Sequence, residues 1–202
     1  MAPAVPLYAS FAGSANFSNG TSANCRGEHE PPNELIKEYV DYKAGFVPAC
    51  GSFVSKTDFP SKYPLAHFTF EMLNTSTIVH EPRYKDWAIV LPPLDPGLNA
   101  IRLEYGHELV ISSAYRTPLV QHDLDVELQA TDPTHKLAHS SRHVHGDAAD
   151  IDTGGNTLVL WTPLRNAARS ANPIACIEPS NVSGFKHVHV DWRPSADCIW
   201  PR

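Results

Sequence analysis

Two segments, Ser141-Arg142-His143-Val144-His145-Gly146-Asp147-Ala148-Ala149-Asp150 and His187-Val188-His189-Val190-Asp191, constrain this chain more than anything else in it. The first offers an imidazole and a carboxylate seven residues apart, and the second adds an imidazole on what reads as a strand. Zinc accepts this nitrogen and oxygen set when one coordination position stays open to water. A fold that uses the set must bring the two segments together. Taken singly, a His or Asp is more often a hydrogen-bonded polar residue than a ligand, and it is the joint pattern that favours a metal.

Competing chemistries find less support. His107-Glu108 begins like a His-Glu-x-x-His helix, but Ile111 stands where the second ligand belongs. No Gly-x-Ser-x-Gly elbow occurs, which disfavours a serine hydrolase of that type. His135, His139 and His145 read as polar loop residues or neighbours of the motif rather than as ligands.

Ser141, His143, Gly146, Ala148 and Asp150 match position for position the Ser-x-His-x-x-Gly-x-Ala-x-Asp signature of the D-alanyl-D-alanine metallopeptidase family. Ser112-Ser113-Ala114-Tyr115-Arg116-Thr117 resembles that family's Ser-x-Tyr-Arg strand, and Gly184 to Asp191 resembles its closing His-x-His strand. The resemblance spans residues 82–202. It implies zinc (Zn2+) on His143, Asp150 and His189. It also implies His187 acting on the substrate oxygen or the attacking water, Arg116 gripping a substrate carboxylate or polarising the scissile carbonyl, and Ser141 helping to bind substrate. The implied substrate is a peptide with a D-amino acid at or beside the cleaved bond: a terminal D-Ala-D-Ala or a peptidoglycan crosslink. The chain departs from the pattern at Lys186, where several members carry the general base. Glu178, Asp191 and His187 remain as alternatives for that role. Hedgehog signalling domains resemble the same fold and ligand set, so a zinc-stabilised binding module is the second reading.

At 202 residues the chain fits one domain with an extension, read here as residues 1–81 before a peptidase domain at 82–202. A hydrophobic content of 42% with 18 prolines suggests a loop-rich globule rather than a bundle. The net charge of −6, with no basic stripe, argues against a nucleic-acid partner, and no apolar run is long enough to span a membrane. A monomer is expected. Cys25, Cys50, Cys176 and Cys198 allow three full pairings. Cys25 with Cys50 and Cys176 with Cys198 is preferred, because the second loop would clamp the His187–His189 strand. Disulfides point to a secreted or periplasmic protein, and sequons at Asn16, Asn19, Asn74 and Asn181 fit a secretory route. Met1 to Pro6 lacks the features of a signal peptide, which is expected to have been removed.

The pattern predicts an α+β fold: a mainly antiparallel sheet with helices packed on it, the zinc site on the sheet, and a disulfide-braced N-terminal extension. Helices are expected at 33–40 with Asn33 as cap, 98–105, 119–129, and 162–171 with Pro163 in the first turn. Strands are expected at 109–113 and 185–192, with 143–151 as a loop running into a strand.

Overall fold

The computed structural model describes residues 30–64, 66–134, 141–173, 175–179 and 184–193. In chain order the elements are α1 (Asn33–Asp41), β1 (Phe53–Ser55), α2 (Phe59–Lys62), α3 (Phe70–Leu73), α4 (Thr75–His80), β2 (Trp87–Ile89) and α5 (Leu94–Tyr105). Then follow β3 (Ile111–Ser113), α6 (Pro118–Thr131), α7 (Arg142–His145), β4 (Ala148–Asp152), α8 (Leu158–Ala171), β5 (Cys176–Ile177) and β6 (His187–Asp191). The strands form two antiparallel sheets, β1-β2 and β3-β4-β6-β5, so the fold is α+β. No helix among the described residues is long and apolar enough to cross a membrane.

The four-stranded sheet separates core from site by alternation, since successive side chains on a strand point to opposite faces. On β6, Val188 and Val190 are fully buried in the hydrophobic core, together with Ala149 and Ile151 of β4 and Trp161, Leu164 and Ala168 of α8. The intervening His187, His189 and Asp191 therefore share the other face. On β4 that face carries Ala148, Asp150 and Asp152, and the register sets Asp150 opposite His189, Asp152 opposite His187 and Ala148 opposite Asp191. The core is continuous with the N-terminal part: Leu35, Ile36 and Tyr39 of α1 and Phe53 and Val54 of β1 belong to the same cluster.

Several boundaries differ from the sequence expectation for local reasons. Pro32, not Asn33, precedes the first turn of α1, and Asn33 is already helical. The helix at α8 begins four residues earlier than expected, because the Thr157 hydroxyl accepts from Leu160 N and caps it there. Pro163 thus lies inside the helix. The closing strand starts at His187 because Gly184 and Phe185, at φ 63° and 65°, make a left-handed turn before it. The stretch before β4 contains a helical turn, α7, where a loop was expected. Asn74 is fully buried with its amide donating to Lys85 O and Trp87 O, so this sequon is not a surface acceptor. The sequons at Asn16, Asn19 and Asn181 lie outside the described residues. Cys50 and Cys176 are both disulfide-bonded, and their expected partners, Cys25 and Cys198, also lie outside the described residues.

Candidate metal centre

His143 comes from α7, a single turn closed by Gly146 in the left-handed conformation at φ 77°. Only glycine fits there, for two reasons. The conformation disfavours a β-carbon, and a Cβ would stand 2.1 Å from the carbonyl oxygen of Ile89 in β2. Gly146 O in turn accepts from Leu91 N at 2.9 Å, which ties the α7–β4 corner to the end of β2. From the other side, Tyr39 of α1 donates to Val144 O at 3.2 Å, its hydroxyl paired with that of Tyr115, and Phe46 stacks on His145 with ring centroids 4.0 Å apart. The turn that presents His143 is therefore braced by residues of the N-terminal part.

Three side chains converge: His143, Asp150 and His189 form a group that could hold a metal ion. His189 Nδ1 lies 2.8 Å from Asp150 Oδ1 and 3.1 Å from His143 Nε2, and His143 Nε2 lies 3.3 Å from Asp150 Oδ1. His143 Nδ1–H donates to Ala114 O at 2.6 Å, which leaves the Nε2 lone pair facing the cluster. The outer nitrogen of His189 faces Asp191 Oδ2 at 3.5 Å.

Charge is distributed unevenly across the group. Burial, with the Arg116 charge behind it, pushes His143 down to about 4, so this imidazole is neutral at neutral pH. Burial alone would lower His189 too, but hydrogen bonds to the carboxylates of Asp150 and Asp191 outweigh it and hold the ring up to about 9. The difference has a geometric origin, since His189 meets a carboxylate at both nitrogens whereas the outer nitrogen of His143 meets a neutral carbonyl. Burial opposes the ionised form of Asp150, yet His143, Arg116 and the hydrogen bonds to both imidazoles keep it well below the usual carboxylate range.

Arg116 sits three residues past β3, where Ile111 pairs with Ile151 and Ser113 with Asp150, a bulge that re-aims the strand end. Its guanidinium donates from Nε to Ser113 Oγ at 2.8 Å, from Nη1 to Gln121 Oε1 at 3.1 Å and from Nη2 to Asp150 Oδ2 at 2.6 Å. Asp150 thus turns one oxygen to Arg116 and the other to the imidazoles. Ser113 belongs to the Ser-x-Tyr-Arg stretch and meets Arg116 within it, whereas the sequence offered no sign of Gln121 or of the Ala114 carbonyl as anchors.

The remaining sequence candidates take distinct positions. His187 is half-buried, its side chain 32% exposed, with Nε2 3.6 Å from Asp150 Oδ1. Ser141 is half-buried in the cap position of α7, where its carbonyl accepts from Val144 N. Glu178 is buried, and its carboxylate accepts from the backbone N–H of His189 at 3.2 Å. Lys186 is exposed, and its carbonyl accepts from Thr153. Comparisons with protein-family models, curated proteins and solved structures find no match.

Proposed function

We propose that this chain is a secreted zinc metallopeptidase that hydrolyses amide bonds next to D-amino acids in peptidoglycan peptides, as a D-Ala-D-Ala carboxypeptidase or a crosslink endopeptidase. The spacing of the three donor atoms carries the zinc assignment. They stand 2.8, 3.1 and 3.3 Å apart, and the edge of a tetrahedron with zinc bonds of about 2.0–2.1 Å is about 3.3 Å. Two imidazole nitrogens and one carboxylate oxygen also leave a fourth position open. Disulfide-bonded Cys50 and Cys176 support an oxidising compartment, and pairing with Cys25 and Cys198 would brace the N-terminal part and the closing strand.

When bound, zinc supplies Lewis acidity toward a carbonyl and acidifies water. The protein's own groups do the rest. Arg116 engages three of its five N–H groups in fixing its position, and the remaining two, on Nη1 and Nη2, meet the substrate's carboxylate or its scissile carbonyl. His187, half-buried at the edge of the ligand cluster, moves the proton from the attacking water to the leaving amine. Asp191 is engaged by Arg193 and Glu178 by the His189 backbone, which favours His187 over either carboxylate as the base. Ser141, two residues before His143, contributes to substrate binding.

The test is mass spectrometry of muropeptides ending in D-Ala-D-Ala and of crosslinked dimers, incubated with the zinc-loaded protein and with its His187→Ala variant. Wild type should release D-alanine or split the dimer, and the variant should keep its zinc and turn over about 10²-fold or more slowly. No cleavage of either substrate by zinc-loaded wild type would overturn the peptidase. One observation favours a second reading: Lys186, a cation, stands where a base is expected. A zinc-stabilised binding module of hedgehog-like fold would bind the metal, need it to fold and hydrolyse nothing.

A further inference from the structure

We infer that Asp191, clamped by Arg193, is the positioning residue that fixes the ring of His189 with Nε2 protonated and Nδ1 turned to the metal; this rests on the metal centre proposed above. Residues 189, 191 and 193 alternate along and just beyond β6, so His189 and Asp191 project from one face of the sheet. Across the strand pair Asp191 faces Ala148, whose small side chain leaves the space above β4 to the Asp191 carboxylate.

Asp191 is fully buried, and a buried carboxylate must have its lone pairs filled. Arg193 fills most of them. Its Nε donates to Oδ1 at 2.7 Å, its backbone N–H to the same oxygen at 3.2 Å, and its Nη2 to Oδ2 at 2.5 Å. The same Oδ2 faces His189 Nε2 at 3.5 Å, an ion-pair contact longer than an ordinary N–H···O hydrogen bond.

A neutral imidazole has one N–H and one lone pair. With the proton on Nε2, the nitrogen that faces Asp191, the lone pair falls on Nδ1, the nitrogen 2.8 Å from Asp150 Oδ1 and 3.1 Å from His143 Nε2. Nδ1 also faces a carboxylate, that of Asp150, so it is a metal held between them that would replace a proton there, whereas a proton on Nε2 stays between that nitrogen and Asp191. His143 follows the same rule with a weaker partner, its outer Nδ1–H tied to Ala114 O. An outer carboxylate partner of this kind changes metal affinity by about 10–100-fold. The Arg193 clamp fixes where the carboxylate stands beside the ring.

The experiment uses the full chain with zinc alone as probe. Zinc affinity is measured by competition with a chromophoric chelator for wild type, Asp191→Asn and Arg193→Gln, and long-range 15N–1H NMR reports which His189 nitrogen carries the proton in the zinc-loaded wild type. The expected results are a His189 Nε2–H in wild type, a Kd about 10–100-fold weaker in Asp191→Asn, and a smaller weakening in Arg193→Gln. A folded Asp191→Asn with wild-type Kd would overturn the inference while leaving the metal centre intact. So would a zinc-loaded wild type with His189 protonated on Nδ1, and this second result needs no variant to fold. Failure of wild type to bind zinc would instead refute the metal centre itself.

Discussion

Replacing Gly146 by alanine probes the corner on which the site is built. Two costs add. The left-handed conformation at φ 77° disfavours a β-carbon by about 1–2 kcal/mol. The new methyl would also stand 2.1 Å from Ile89 O and 2.6 Å from Ile89 C, backbone atoms of a strand paired to β1, so the chain itself must move, at about 1–3 kcal/mol for overpacking. The expected loss is about 2–5 kcal/mol, a large part of the roughly 5–15 kcal/mol that holds a domain together. Gly106 is the control. It caps α5 at φ 74°, but a Cβ there meets nothing within 4 Å, so Gly106→Ala should show only the conformational cost. Urea denaturation of the metal-free proteins gives both values, with similar slopes if the unfolded states match. Gly146→Ala should be the less stable by about 1–3 kcal/mol and should also bind zinc more weakly, because the shift falls between His143 and Asp150. Equal losses at the two glycines would refute the close approach of α7 to β2.

Other perturbations reach different parts of the structure. Arg116→Ala leaves Asp150 Oδ2, Ser113 Oγ and Gln121 Oε1 without this partner, while His189 still faces the other Asp150 oxygen; the metal-free protein should lose about 1–3 kcal/mol in urea melts. The same variant should keep its zinc and hydrolyse muropeptides more slowly, and an unchanged rate would remove its substrate role. Away from the site, Glu38 is buried beside Glu81, with Arg83 near and Leu119 N–H donating to it, and burial followed by the Glu81 charge pushes it up to about 8 from 4.5. The fold therefore favours its protonated form, so its contribution is fully present below pH 4.5 and is lost as pH rises through about 8. Glu38→Gln should flatten the fall in urea midpoint between pH 4.5 and 8, and an unchanged slope would show that another group is responsible.

The residues that could hold a metal ion were legible in the sequence because each of the two segments that carry them has a local pattern. Period-two alternation of His187-Val188-His189-Val190 marks a strand with both imidazoles on one face, and β6 has that form. The pairing of Asp150 with His189 was not legible, since it depends on the strand order β3-β4-β6-β5, set by contacts far apart in the chain. The turn at α7 is too short to show a helical period; Gly146, its left-handed cap, was the one local trace of it. The start of α8 was obscured because Pro163 resembles a first-turn residue, while the true cap, Thr157, precedes the exposed apolar residues Leu158, Val159 and Leu160, which give no inward-facing stripe. The three-residue strands β1 and β2 carry no alternation long enough to read, yet they support the corner that holds Gly146. Arg116 stood out by its motif, but its contact with Asp150, past the register shift in β3, is something only the fold reveals.

The most direct measurement is zinc content by elemental analysis of the purified protein and of His189→Ala, alongside cleavage of peptidoglycan with and without a chelator. One zinc per wild-type chain, none in the variant, and cleavage that stops with the chelator and returns with zinc is the expected result. Full metal in His189→Ala, or cleavage indifferent to the chelator, would contradict a zinc peptidase built on His143, Asp150 and His189.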